Sequence, residues 1–251
     1  MRPIHAFVPL IGAIGAVASQ PTDSWVFGDS LFYLGPPSGN SRITKATYSI
    51  MPPAVPSGAK ASTKDEVWVS VWVGASSSAG SEDYDLYQPL FNWSLDQESQ
   101  GCSASVEEWC VAASTYTPDG QIGQDYVAIP QNTTVDFEIV VEGKKVIQTV
   151  TIDGEVVSKQ SDTLDAALQY LYSSNECYTG SGSCGTLAGY SIKNLTVTLS
   201  EADTGFADVL SLDSVTDKNF KSTDGGITWH ADWIKVTSID FDSSNDTEVD
   251  A

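Results

Sequence analysis

The chain has 251 residues, 33 acidic against 12 basic side chains, a net charge of −21 and a pI near 4.1. So negative a surface repels the phosphates of nucleic acids and of anionic membranes, which excludes both as electrostatic partners. The chain is long enough to bury a full core as one β-rich domain, so folding requires no metal.

The N-terminus opens with Arg2, continues as a mostly apolar run over 4–17, and ends in the small-x-small step Ala16-Val17-Ala18. This is the pattern of a secretory signal peptide over residues 1–18. The apolar run is shorter than the roughly 20 residues that span a bilayer, and no later stretch is apolar enough to do so. The expected location is the secretory pathway, with the product released or held in a secretory compartment or vacuole. One domain is expected over 19–241, followed by an acidic flexible tail over 242–251.

Helical periodicity is scarce. Short β-branched and aromatic runs are broken by Gly, Ser, Asn and Pro, the pattern of an all-β sandwich. Expected strands cover 43–51, 66–73, 86–93, 109–116, 134–141, 145–152, 155–159, 167–172, 190–199 and 227–236. Glu142-Gly143, followed by Lys144, and Asp153-Gly154, followed by Glu155, lie between such runs and predict hairpins. Residues 52–64 and 75–83 read as loops.

The run Val67-Trp68-Val69-Ser70-Val71-Trp72-Val73 alternates with period two. Its valines suit a dry core between two sheets. Trp68, Ser70 and Trp72 then face the other way, towards a half-open concave surface, the alternative being that both faces are buried and the tryptophan pair is core packing.

Cys102, Cys110, Cys177 and Cys184 form an even set in a secreted chain, which reads as two disulfides. The pairs Cys102–Cys110 and Cys177–Cys184 each bracket a short polar loop and are the expected connectivity. The spacing does not suit zinc, and no metal site is expected. Four sequons place candidate N-glycans on Asn92, Asn132, Asn194 and Asn245.

Past the signal peptide one histidine remains, His230, beside Trp229 and without a companion motif. A Ser-His-Asp triad or Cys-His dyad has no base elsewhere, and His230 reads as structural. No phosphate-binding loop occurs, and no cofactor is expected. Paired carboxylates remain for acid–base chemistry: Glu82, Asp83 and Asp85 in one loop, Glu107 and Glu108 before Trp109, and Asp136 with Glu138 in one strand. The spacing of the last pair does not place three acids on one face, as the jelly-roll glucanases require.

Four short motifs occur in a recognisable order: Val67-Trp68-Val69-Ser70-Val71-Trp72-Val73-Gly74, Tyr87-Gln88-Pro89-Leu90-Phe91-Asn92-Trp93, Glu108-Trp109 and Leu168-Gln169-Tyr170-Leu171. In these the chain resembles the eqolisins, the fungal glutamic peptidases, across most of 43–199. The resemblance implies a concanavalin-like or jelly-roll sandwich of two antiparallel sheets. It puts Gln88 at the family's catalytic glutamine, Gln169 at its catalytic glutamate, and Trp68 at a tryptophan of the cleft. A glutamine cannot take a proton from water, so peptidase chemistry is lost at Gln169 unless Glu176 replaces it. What remains is a cleft of neutral amides, Gln88 and Gln169, with Trp68, Ser70, Trp72, Trp109 and Tyr170 as substrate-binding walls.

In size, leader, sequons, tryptophan-rich β pattern and lack of acid–base machinery, the chain also resembles the fungal hetero-Diels–Alderases of tropolone–sesquiterpenoid biosynthesis. That likeness implies small hydrophobic substrates, a quinone methide and a humulene-type olefin, joined without a cofactor. The alternatives are a carbohydrate-binding or carbohydrate-active jelly roll, and an eqolisin-type peptidase or its inactive relative. The sequence leaves the oligomeric state open.

Overall fold

The computed structural model describes residues 25–61, 67–80, 83–178 and 182–242. The expected signal peptide, Glu82, Asn245 and nearly all of the acidic tail lie outside the described residues.

In chain order the strands are β1 (Trp25–Phe27), β2 (Leu31–Leu34), β3 (Ile43–Ile50), β4 (Trp68–Ser76), β5 (Leu86–Tyr87), β6 (Leu90–Ser94), β7 (Cys110–Ala112), β8 (Ser114–Thr117), β9 (Gly120–Gly123) and β10 (Val127–Ala128). They continue as β11 (Val135–Glu142), β12 (Lys145–Ile152), β13 (Glu155–Thr163), β14 (Tyr170–Tyr178), β15 (Thr186–Leu187) and β16 (Tyr190–Leu199). After a 3-10 turn at Phe206–Val209 come β17 (Leu210–Asp213), β18 (Val215–Lys218), β19 (Lys221–Ser222), β20 (Thr228–Val236) and β21 (Ile239–Asp240).

The expected all-β class is what forms: a sandwich of two large antiparallel sheets. The first runs β10-β7-β6-β4-β14-β2-β17, with β1 on β14 and β5, β8 and β9 extending from β4. The second runs β13-β12-β11-β3-β16-β20-β18, with β19 on β20. Both hairpins expected at glycine are present. Gly143-Lys144 joins the pair Glu142 and Lys145, and Asp153-Gly154 joins Ile152 and Glu155. Asp153 and Gly154 both take positive φ, 50° and 83°, which the tight two-residue turn requires.

The two sheets enclose one apolar core. Val69, Val71 and Val73 of β4 meet Ala46 and Tyr48 of β3, Phe137 and Ile139 of β11, and Val197 of β16. Tyr48 spans the gap, its hydroxyl donating to the Val73 carbonyl at 2.9 Å. Asn175 on the inner side of β14 is satisfied in this core: Nδ2 donates to the Ser30 carbonyl at 3.0 Å, and Oδ1 accepts from the Tyr190 hydroxyl at 2.8 Å.

Three strands depart from the sequence reading for physical reasons. The run expected over 86–93 is split at Pro89, which has no N–H for the ladder. The run over 109–116 breaks at Ala113, whose N–H goes to Ser158 Oγ at 3.0 Å and whose carbonyl accepts from Gln124. The strand expected over 167–172 starts later and runs on to Tyr178, because Ser173-Ser174-Asn175 pairs across to β4 instead of turning.

Both expected disulfides form, Cys102–Cys110 and Cys177–Cys184. Among the described residues no helix is long and apolar enough to cross a membrane. Loops of this size give about 2–3 kcal/mol each in the chain-entropy account. Thermal unfolding with and without reductant should therefore show a clear fall in Tm on reduction. An unchanged Tm, with reduction verified by thiol titration, would remove the bridges from the stability of the fold.

Candidate functional site

All nine residues of β4 are buried. One face supplies valines to the inter-sheet core, so the other face needs a cover of its own. That face carries Trp68, Ser70, Trp72, Gly74 and Ser76 in alternation. Pairing with β14 puts Tyr178 beside Trp68, Glu176 beside Ser70, Ser174 beside Trp72, Tyr172 beside Gly74 and Tyr170 beside Ser76. On the other flank, Ser94, Asn92 and Leu90 of β6 stand beside Trp68, Ser70 and Trp72.

The result is a second apolar cluster on the outer side of the first sheet, built from Trp68, Trp72, Leu86, Leu90, Tyr116 and Tyr172. Tyr33, Tyr126, Tyr170 and Tyr178 pack around it. Trp68 stacks on Tyr178 with centroids 5.5 Å apart, and Trp72 meets Tyr172 edge-on at 5.6 Å. Tyr33 stacks on Tyr172 at 5.3 Å and tilts against Tyr170 at 5.4 Å. The half-open surface expected from the sequence is corrected here. Trp68 is 7% exposed and Trp72 2%, because this ring packing closes over them.

Polar groups interrupt the aromatic layer at two places. At one end, Gln88 approaches Gly74 so closely that a Cβ there would lie 3.0 Å from Gln88 Cβ and 2.7 Å from Leu86 Cδ1. A side chain at position 74 would have to displace Leu86 and crowd Gln88. The Gln88 N–H donates to the Ser114 carbonyl at 2.8 Å, while its buried Oε1 has no hydrogen-bond partner. Gln169 lies at the same end, its N–H donating to the Ser76 carbonyl at 2.9 Å just before β14 begins. Further along, Ser70 donates to Asn92 Oδ1 at 3.0 Å, and Trp72 Nε1 donates to Glu176 Oε1 at 2.9 Å.

Asn92 Nδ2 and the Tyr33 hydroxyl, both in this region, are also buried without partners. Three orphaned polar atoms around one cluster are unusual, since buried polar groups are nearly always paired.

Burial pushes the Glu176 carboxyl up to about 8, and the Trp72 hydrogen bond opposes this only in part. Burial, then the neighbouring Tyr170, pushes the Tyr33 phenol up to about 12. At neutral pH Glu176 is therefore mostly protonated and the Tyr33 phenol is neutral.

The structure gathers Gln88, Trp68, Ser70, Trp72 and Tyr170 onto this face and brings the backbone of Gln169 to its end. Trp109 is a correction. It lies in the inter-sheet core against Phe91, with Nε1 donating to the Pro53 carbonyl at 2.9 Å, because the parity of β7 turns it inward. Asn92 is a second correction: at 1% exposure inside the sheet face it has no room for a glycan, whereas Asn132 and Asn194 are exposed.

The other candidate acids lie elsewhere. Asp136 accepts from Ser49, and Glu138 pairs with Lys45, on the outer face of the second sheet. Asp83 and Asp85 line a small depression with Asp165, and Glu108 is engaged by Ser105. His230 contacts Thr196 and Asp232, also on the second sheet.

No protein-family model matches the chain, and no curated protein matches it. Among solved structures it is similar to a toad ovary galectin in complex with thio-digalactose, at 12% identity over 67% of this chain and 98% of that one, with a TM-score of 0.31. It is similar to a prokaryotic β-1,3-1,4-glucanase from a mouse hindgut metagenome, at 10% identity over 82% and 78%, with a TM-score of 0.33. A carbohydrate-binding module from Bacillus subtilis matches at 12% identity over 61% and 90%, with a TM-score of 0.31. At these scores the likeness carries no functional conclusion.

The raised Glu176 carboxyl makes stability depend on pH with a definite sign. Between the ordinary value of 4.5 and about 8 the folded chain holds this proton and the unfolded chain does not. Its contribution therefore falls as pH rises through that window, by on the order of 1.4 kcal/mol per pH unit, and is level outside it. Denaturant melts of wild type and Glu176→Gln across this range should diverge, the variant gaining relative stability as pH rises. Parallel curves would show that the carboxyl does not hold its proton.

Proposed function

We propose that the outer face of the first sheet binds flat, apolar, carbonyl-bearing molecules and catalyses their intermolecular hetero-Diels–Alder cycloaddition without a cofactor. The observation that carries this reading is the set of buried polar atoms without partners, Gln88 Oε1, Asn92 Nδ2 and the Tyr33 hydroxyl, set among tryptophan and tyrosine rings. Orphaned donors and acceptors cost about 1–3 kcal/mol each, and a ligand that satisfies them recovers that cost.

The chemistry suits the groups present. A cycloaddition needs two reactants held in register and a hydrogen bond to the one that gathers negative charge. It needs no base, so glutamine at positions 88 and 169 is no handicap. Trp68, Trp72, Tyr170 and Tyr172 offer faces for a quinone methide and a humulene-type olefin. Ser70, Gln88 and Gln169 orient the polar end. The partly buried tyrosines at the margin, Tyr33, Tyr126, Tyr170 and Tyr178, are the side chains that must swing aside to admit the reactants.

A glycosidase reading asks instead for a carboxylate pair on the floor of an open groove. Asp136 and Glu138 share a strand, but they are tied to Ser49 and Lys45 on the other sheet, away from the aromatic face. Secretion, with glycans on Asn132 and Asn194, completes the reading.

The test is to incubate the purified protein with a quinone-methide precursor and a humulene-type olefin. Adduct formation should be faster than in buffer and should give one stereoisomer. Gln88→Ala should slow the reaction on the order of tenfold or more, with a small change in Tm. A wild-type rate and stereoisomer ratio equal to buffer would overturn the reading. A large loss of stability at an unchanged rate would make Gln88 structural.

A further inference from the structure

Between the two tryptophans of β4 lies a row of three polar side chains, Glu176, Ser70 and Asn92, adjacent across β14, β4 and β6. None of them exceeds 2% exposure. Trp68 and Trp72, four residues apart on one strand, flank the row at a spacing on the order of 13 Å.

The hydrogen bonds within the row leave donors pointing outward. Ser70 uses Asn92 Oδ1, so Nδ2 is left without a partner. Trp72 donates to Oε1 of Glu176, so a proton on this acid belongs on the second carboxyl oxygen. A flat ring that slides between the tryptophans with its oxygen towards the sheet meets two donors and no anion.

We infer that this row is the carbonyl-binding element of the site, with Glu176 as a neutral acid that, together with Asn92 Nδ2, donates a hydrogen bond to the oxygen of a conjugated ketone. The inference rests on the cycloaddition reading above and gives the heterodiene its docking point. During reaction the C=C–C=O unit and the olefin form one C–C and one C–O bond. Three π bonds become one, no atom leaves, and the proton stays on Glu176. The donors stabilise the charge gathering on oxygen in the transition state.

The surroundings keep the acid neutral. The titratable groups facing it are tyrosines, Tyr172 and Tyr178 from its own strand and Tyr33 from β2, while β4 presents Trp68, Ser70 and Trp72 and β1 pairs through Phe27. Among the described residues no ion pair includes its carboxyl. Burial without a cation favours the protonated form.

The experiment follows adduct formation from about pH 6 to about pH 10, in wild type and in Glu176→Gln, which keeps an acceptor for Trp72 and an N–H donor. The wild-type rate should hold to near pH 8 and then fall about tenfold per unit, while the variant runs flat at a rate lower on the order of tenfold. In parallel, infrared difference spectra of the wild type should show a protonated-carboxyl band that is lost over the same range and shifts when the flat ketone tropone is added. An accelerating wild type whose pH profile matches that of the variant overturns the role of Glu176 and leaves the cycloaddition reading intact. A wild type that does not accelerate at any pH overturns that reading; the tropone shift then decides whether Glu176 still donates to a ketone, and no shift overturns it. Should Glu176→Gln fail to fold, the wild-type band and its tropone shift decide alone.

Discussion

A single strand buried on both faces sets the terms for this molecule. Antiparallel sheets commonly pack one face on a core and leave the other to water. Here β4 spends its valines on the gap between the sheets and still has two tryptophans to hide on the far side. Each large aromatic buries about 150–250 Å². The outer face therefore gains a cluster of its own, and the first sheet becomes the middle layer between two apolar regions. The inter-sheet core holds the fold together, so the outer cluster is free to carry groups that a core would reject.

The contrast between neighbours on β14 makes the point. Asn175 faces inward and has both ends of its amide engaged, by the Ser30 carbonyl and the Tyr190 hydroxyl. Glu176 faces outward, with one oxygen held by Trp72 and no cation opposite. Around it lie Asn92 Nδ2, Gln88 Oε1 and the Tyr33 hydroxyl, all without partners. On β14 the inward amide is thus satisfied, whereas several polar atoms around the outward acid are not. Unpaired groups in an apolar setting are a cost that a purely structural cluster has no reason to bear. In the proposed function, a ligand with one polar end and a flat apolar body turns that cost into affinity.

How much of this was legible in the sequence follows from what each signal measures. Period-two alternation in 67–73 placed Trp68, Ser70 and Trp72 together because side-chain parity within one strand is local. Trp109 was misplaced because parity between strands is set by pairing, which no local pattern records. The end of β14 was missed because Ser173-Ser174-Asn175 has turn composition, yet those residues are held extended by pairing with Trp72, Val73 and Val71. Glu176 stands out in the sequence as a candidate acid, but it reaches the aromatic face only because the strand continues past Tyr172. The disulfides were readable because each closes a short loop. Closure of the aromatic face was not, since it depends on tyrosines contributed by β2, β14 and the segment after β9.

The burial that makes Glu176 costly also makes it useful. A carboxylate in this position would need a cation, which the layer does not provide, or several N–H donors, of which it has one in Trp72. The neutral acid needs neither, and in the proposed role it would offer a proton to a carbonyl without the charge that would repel electron density gathering there. An amide at position 176 would also be neutral and would satisfy Trp72, but an amide N–H is a weaker donor than a carboxylic O–H. A net charge of −21 sharpens the choice, because in so acidic a protein every added anion works against the fold, and a carboxyl that stays protonated adds none.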